Sequence, residues 1–203
     1  MLTIHHSPMS RSTRVVWFCE EIGLEYRLET LEMFSDAMKR PEYLAVNPLG
    51  KVPAIEDDGF VLWETSAILQ YLDAKYGGGQ LMPPRDTHAG ALAIQWLDYG
   101  ENPLTVIMGE IAAHGGPMPE ERRIPALVER GRQIAPELVG VVEQALGGQD
   151  WILGDNFSAA DIMLVFGMMI ADYLGYVNDD TPQLRAYLQR AMARPAFQRA
   201  VVI

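Results

Sequence analysis

A serine-rich loop, Ser7-Pro8-Met9-Ser10-Arg11-Ser12-Thr13-Arg14, precedes the first helical pattern of this 203-residue chain and delivers hydroxyls to that helix's N-terminus. A helix terminus of this kind stabilises a bound thiolate, as it lowers the pKa of cysteines placed there. Capping alone would also account for the serines. A second feature, Trp63-Glu64-Thr65-Ser66, stands where a strand pattern passes into a helix pattern. Unpaired N–H groups there attract a carboxylate, the Thr65 and Ser66 hydroxyls can donate to the same anion, and the Glu64 carboxylate suits an ammonium. Together they fit an amino-acid head group carrying both charges; simple N-capping by Thr65 is the alternative. The third feature is Val52-Pro53 at the opening of a strand. Proline cannot donate to a ladder, so an edge, a bulge or a cis bond is implied. A cis bond would turn the Val52 N–H and C=O outward, where an extended peptide-like ligand could pair with them. Spacing alone leaves an ordinary trans edge proline open.

The elements that must position these groups follow from periodicity. Leu2 to His5 reads as a short strand. Val15, Phe18, Cys19 and Ile22 recur at helical spacing until Gly23 stops the helix. Tyr26 to Leu31 alternates again, a short helical stretch runs from Ser35 to about Val46, and Asn47-Pro48-Leu49-Gly50 is a turn cluster. Val52 to Ile55 and Phe60 to Trp63 flank Asp57-Asp58-Gly59, a hairpin signal, and a helix follows from Thr65. Beyond Gly77-Gly78-Gly79 strand signals vanish. Helical patterns cover about 87–113, 120–146, 158–175 and 182–193, with Pro103 predicted to kink or divide the first. The expected organisation is an α/β domain over 1–78, a linker over 79–86 and an all-helical domain over 87–203.

One helix start in the second domain is well specified. Ser158 can cap, Asp161 follows three residues later as its capping-box partner, and Phe157 and Ile162 occupy the staple positions. Ser158 and Asp161 therefore read as a structural cap. Trp96, Tyr99, Ile107 and Met108 read either as core or as the lining of a ligand cleft, and core is preferred for most of them.

Composition narrows the class of partner. The net charge of −11 is spread over both halves, whereas nucleic-acid binding depends on clustered Lys and Arg. No nucleic acid and no membrane surface is expected as a partner. The longest apolar run, Ile162 to Ala171, is far shorter than a membrane span needs. No basic-then-apolar leader opens the chain, so a cytoplasmic location is expected. The single cysteine, Cys19, lies on the apolar helix face, reads as core and excludes a CxxC pair. His88 and His114 are isolated and no metal is expected; His5-His6 reads as structural.

Asn47-Pro48-Leu49-Gly50-Lys51-Val52-Pro53-Ala54, followed by Leu62-Trp63-Glu64-Thr65-Ser66-Ala67-Ile68, resembles the signature of the glutathione transferase family. Phe157-Ser158-Ala159-Ala160-Asp161-Ile162 resembles the capping segment of that family's helical domain. The resemblance covers essentially the whole chain and is of the cytosolic, bacterial-like kind. It implies a thioredoxin-like N-terminal domain, an all-α C-terminal domain and a homodimer. It further implies that the Val52 main chain pairs with the cysteinyl unit of glutathione beside a cis Pro53. Glu64 and Thr65 would hold the γ-glutamyl group, and Lys51 would face the glycine carboxylate.

The family's catalytic tyrosine position holds His5-His6 here, so the resemblance points to a serine-type site. Counting back five residues from Arg14, the family's spacing, reaches Met9, which offers no useful hydrogen bond; a one-residue loop difference restores Ser10. Ser10 is the expected thiolate partner, with Ser12 and then Ser7 as alternates. The implied activity is that of a glutathione S-transferase, a detoxification enzyme in which glutathione is cosubstrate and its thiolate attacks a small hydrophobic electrophile. Two alternatives stand beside it: a glutathione-dependent peroxidase or disulfide reductase, and a non-catalytic binding module of the same fold.

Overall fold

The computed structural model of the protein describes residues 1–33 and 35–203. By internal contacts the chain divides into one unit of Met1–Met82 with Ala193–Ile203, and a second of Pro83–Met192.

The first unit is built on a four-stranded mixed sheet. Its elements run β1 (Leu2–His6), α1 (Thr13–Ile22), β2 (Tyr26–Thr30), a single 3-10 turn at Asp36–Lys39, α2 (Pro41–Leu44), β3 (Ala54–Asp57), β4 (Phe60–Trp63) and α3 (Thr65–Leu72). The spatial order is β2-β1-β3-β4, with β1 parallel to β2 and the remaining pairs antiparallel. β1 is buried along its whole length, as an inner strand covered on both faces must be. Successive side chains alternate across it. The His6 ring meets Ser12 at the start of α1, and the His5 ring lies 5.3 Å from the Tyr43 ring of α2. On the α1 side the core is filled by Val15, Val16 and Phe18 with Ile68, Leu69 and Leu72 of α3. On the other face Met38, Tyr43 and Val52 form a smaller cluster.

Asp57, at the hairpin, is a buried anchor. Its carboxylate accepts from Tyr71 Oη at 2.7 Å, Lys75 Nζ at 2.6 Å and Tyr76 Oη at 2.7 Å, all carried by α3 and its π-helical continuation Asp73–Gly77. Burial alone pushes this carboxyl up, but the three donors outweigh it and hold the group at about 2. A folded-state value below the unfolded one means stability that is present above about pH 4 and lost as pH falls through about 2. Asp57→Asn is therefore expected to flatten the acid limb of the stability curve. At pH 7 it should cost roughly 1–3 kcal/mol, both read from denaturant unfolding between pH 2 and 7.

The second unit contains α4 (His88–Tyr99), α5 (Val106–Gly115), α6 (Pro125–Leu146), α7 (Ala159–Tyr173) and α8 (Pro182–Met192). Pro103 divides the first helical stretch: Asn102 leaves helical geometry (φ −128°, ψ 118°) within a π-type segment, Gly100–Thr105. That segment packs directly on α7. A Cβ at Gly100 would lie 2.9 Å from Met163, and one at Gly167 would lie 2.8 Å from Thr105 Oγ1, so close approach demands glycine at both. α7 is apolar nearly all round and forms the core of the unit, with Ile162, Met163, Leu164, Val165 and Met168 fully buried. Trp96, Ile107 and Met108 are buried in this unit as well, while the Tyr99 hydroxyl donates to the Leu138 carbonyl.

Sequence periodicity ends at residue 193, yet a further helix, α9 (Pro195–Ala200), follows and groups with the first unit. It docks on α1. Arg194 makes two bonds to the Glu21 carboxylate at 2.6 and 2.7 Å, Arg199 pairs with Glu20, and Trp17 meets Phe197 edge to face at 4.9 Å. The sequence division carried residues 193–203 with the helical domain; long-range ion pairs and one aromatic contact bring them back to the sheet. No helix among the described residues is long and apolar enough to cross a membrane.

Candidate functional site

The strand register gathers the three features at one end of the sheet. His5 of β1 pairs with Ala54 of β3, and Ala54 pairs with Trp63 of β4. Continuing one step outward sets the Ser7 loop, Val52-Pro53 and Glu64-Thr65 beside one another. Sequence separation of more than 50 residues thus becomes adjacency through hydrogen-bond pairing alone.

The serine loop is tightly ordered. Met9 has a left-handed backbone (φ 58°) and is 89% exposed, and this turn brings Ser10 back against the helix start. The Ser10 carbonyl accepts from Thr13 N–H at 3.0 Å and its Oγ accepts from Ser12 N–H at 3.2 Å, so Ser10 closes a turn just ahead of α1, whose N-cap is Ser12. Ser12 is completely buried and its hydroxyl turns the other way. Its Oγ lies 2.7 Å from Ser10 Oγ and 2.9 Å from His6 Nδ1, and it accepts from Ser7 N–H at 3.0 Å. Ser7 is buried beside it.

The second loop is braced from below. Asn47 Oδ1 accepts from Leu49 N–H at 3.0 Å, and the Asn47 carbonyl accepts from Gly50 N–H at 2.8 Å. The Lys51 carbonyl accepts from both Asn47 Nδ2 and Tyr43 Oη, each at 2.7 Å. Gly50 has φ 59°, and a Cβ there would come within 2.5 Å of the Met38 carbonyl, so only glycine fits. Lys51 is exposed, Val52 and Pro53 are buried, and the Val52–Pro53 peptide bond is cis.

At the third position Glu64 adopts φ 75°, ψ 118°, a left-handed conformation that a glutamate rarely takes. Its carbonyl accepts from Ile68 N–H at 2.9 Å, which starts α3, while its own side chain caps nothing and is exposed. Thr65 is 4% exposed at the first position of the helix.

Other candidates sit elsewhere. Cys19 is fully buried on α1, and burial, with a contribution from the Glu20 charge, pushes its thiol far above the ordinary range, so it is no nucleophile. In the second unit the Asp161 carboxylate accepts from Ser158 N–H at 2.8 Å, Ser158 Oγ at 2.9 Å, Ile152 N–H at 2.9 Å and Tyr187 Oη at 2.9 Å. This closes a capping box with two additional partners. Among the described residues no group of three His, Cys, Asp or Glu could hold a metal ion. Sequence reasoning passed over Tyr43 and Asn47 as braces and His6 as the partner of Ser12. The histidine had one available signal, its place at the end of a buried strand directly before the serine loop.

Comparison with known proteins agrees with this architecture. Residues 8–75 match the family profile described as glutathione S-transferase, N-terminal domain, and residues 108–195 the profile for the C-terminal domain. Glutathione S-transferase 1 of Triticum aestivum is 30% identical, over 96% of this chain and 90% of its own length. Disulfide-bond oxidoreductase YfcG of Escherichia coli is 31% identical, over 80% and 76%. A glutathione transferase family member from Pseudomonas fluorescens, crystallised with two glutathione bound, superimposes with a TM-score of 0.88 at 28% identity, covering 98% of this chain and 92% of that one. With profiles matched in both parts of the chain and relatives matched along nearly all of it, the protein belongs to the glutathione S-transferase family.

Proposed function

We propose that the protein is a glutathione transferase that ionises the glutathione thiol beside Ser10 and directs it at a small hydrophobic electrophile. The observation that carries this reading is the convergence of the Ser10 loop, Val52-Pro53 and Glu64-Thr65 at one end of the sheet. In this reading the cysteinyl main chain of glutathione pairs with Val52 as an added strand. Glu64 receives the γ-glutamyl ammonium, and Thr65 with the α3 N-terminus receives its carboxylate. Lys51 faces the glycine carboxylate. Ser10 Oγ donates to the sulfur at the N-terminus of α1, and the thiolate then attacks an electrophilic carbon. A homodimer in the cytoplasm completes the reading; the exposed Phe60 and Trp63 on edge strand β4 offer apolar surface for a second copy.

A second reading, glutathione-dependent disulfide or peroxide reduction, is favoured by the YfcG relative and by the neighbour holding two glutathione molecules. Lacking a second cysteine, this chain would cycle two glutathiones rather than its own thiols. The purified protein should be assayed with a chloro-nitroaromatic and with a mixed glutathione disulfide. Turnover of the aromatic alone supports the transferase, and turnover of the disulfide alone supports the reductase. A non-catalytic module would turn over neither and show no stabilisation by glutathione, which at 100 times its Kd adds about 2.7 kcal/mol to a protein that binds it.

The Glu64 conformation supplies a separate check. A glutamate held in a left-handed conformation costs of order 1–3 kcal/mol, a cost that makes sense where the carboxylate is needed for a ligand. Glu64→Gly is expected to keep or raise the thermal midpoint while weakening glutathione at least tenfold by calorimetry. Lowered stability with unchanged affinity would remove Glu64 from the binding site.

A further inference from the structure

The hydroxyls of the serine loop end on a buried base. Ser10 Oγ, Ser12 Oγ and His6 Nδ1 form a continuous chain with steps of 2.7 and 2.9 Å, and the opposite ring nitrogen, Nε2, lies 3.3 Å from the Ile203 main-chain oxygen. That oxygen accepts only, so Nε2 carries the hydrogen and Nδ1 has a lone pair to offer. Ser12 then donates its single hydrogen to Nδ1, a nearer acceptor than the Ser7 carbonyl at 3.2 Å. One Ser12 lone pair is taken by Ser7 N–H. The other accepts Ser10 O–H. Ser10, already accepting from Ser12 N–H, keeps one lone pair free. At rest it can therefore receive a thiol hydrogen but cannot donate to sulfur.

We propose that His6, acting through Ser12 and Ser10, accepts the proton that a bound glutathione thiol gives up, an inference that rests on the glutathione reading above. The S–H bond breaks with its electron pair left on sulfur, and the proton passes to Ser10 Oγ. Ser10 hands its own hydrogen to Ser12, and Ser12 hands its hydrogen to His6 Nδ1. Both hydroxyls end as they began, but every bond in the chain is reversed: Nδ1–H donates to Ser12, Ser12 to Ser10, and Ser10 to the thiolate. The products are a thiolate and an imidazolium whose Nε2–H still faces Ile203.

The surroundings of His6 suit this role. The residue is fully buried, and burial holds the ring below the usual histidine range against the bond to Ile203, so the free protein has a neutral acceptor. Among the described residues its ring is hydrogen-bonded by Ser12 and Ile203 alone. The charged group that faces the ring is the carboxylate of Ile203, the last residue of the sequence, whose oxygen meets Nε2 and favours the imidazolium. Side-chain charges on the elements around β1 are engaged elsewhere. Glu20 and Glu21 of α1 hold Arg199 and Arg194, Glu29 of β2 holds Arg27, Glu56 of β3 holds His5, and Asp57 holds Lys75. Arg14 of α1 is buried and has partners of its own.

The test uses the intact protein labelled with 15N-histidine, its four histidines assigned by through-bond correlation. The free protein should show His6 protonated on Nε2 only. Saturating glutathione should bring the Nδ1 resonance into the protonated range, and S-methylglutathione, which has no thiol proton, should leave it unchanged. In Ser10→Ala glutathione should bind without moving the His6 signal. An equal response to both ligands, no response to bound glutathione, or a response that survives in Ser10→Ala would each overturn the relay. Absence of glutathione binding by calorimetry would instead overturn the glutathione reading, and the relay with it.

Discussion

Ser10→Ala is expected to bind glutathione within about threefold of the parent yet turn over at least tenfold more slowly at pH 7. A free thiol titrates near ~8.5, so at neutral pH only a few per cent is nucleophilic. Lowering that value by two units requires about 2.7 kcal/mol of preferential stabilisation of the anion. One hydrogen bond to a charged acceptor supplies roughly 1.5–3 kcal/mol, and a helix N-terminus adds roughly 0.3–1 kcal/mol. The hydroxyl thus carries the larger share, and about 1.4 kcal/mol of it already equals a factor of ten in rate. Affinity is spared because, in the proposed binding mode, Val52, Glu64, Thr65 and Lys51 hold the rest of the tripeptide. Ser10 Oγ also accepts from Ser12 N–H in the turn that leads into α1, so the variant should lose about 1 kcal/mol of stability. Unfolding curves must show it folded under assay conditions. An unchanged rate would move the role to Ser12 or Ser7.

The largest effect on stability is expected at Asp161, where substitution by alanine should cost about 3–5 kcal/mol. Its carboxylate is wholly buried and satisfies four donors from three places in the chain: Ile152, the Ser158 main chain and hydroxyl, and Tyr187 of α8. Removing it strands all four in the interior, and each buried donor without an acceptor costs ~1–3 kcal/mol before relaxation. Against a total of about 5–15 kcal/mol for a typical protein this is a large fraction. Asp161→Asn keeps the shape but turns an N–H₂ toward groups that donate, so it should recover only part of the loss. Equilibrium unfolding in urea measures both variants. A loss below about 1 kcal/mol for Asp161→Ala would show that water or rearrangement satisfies the donors.

Much of this was legible in the residues. The Asp57-Asp58-Gly59 hairpin fixes the pairing of β3 with β4 up to Ala54 and Trp63, and the next residues along the two chains are Pro53 and Glu64. Ser158 and Asp161 announce a helix start because capping chemistry is local and needs particular residue types at fixed spacing. What stayed hidden depends on tertiary geometry. Nothing in the type of Met9 tells that it takes a left-handed turn, so counting along the chain left the hydroxyl undecided between neighbouring positions. The six residues of α9 carry too little periodicity to read, and their docking depends on Glu20 and Glu21, more than 170 residues away. Ile152 and Tyr187 reach Asp161 from outside its own capping segment. The His6 connection needs the strand to end beside the helix start, a fact of packing rather than of sequence.

The most direct test of the central claim is the crystal structure of the protein soaked with glutathione. The tripeptide should lie across the end of the sheet with its cysteinyl main chain paired to Val52, its γ-glutamyl group on Glu64 and Thr65, and its sulfur within hydrogen-bond reach of Ser10 Oγ. Density for glutathione away from these residues, or a sulfur facing none of the loop hydroxyls, would contradict it.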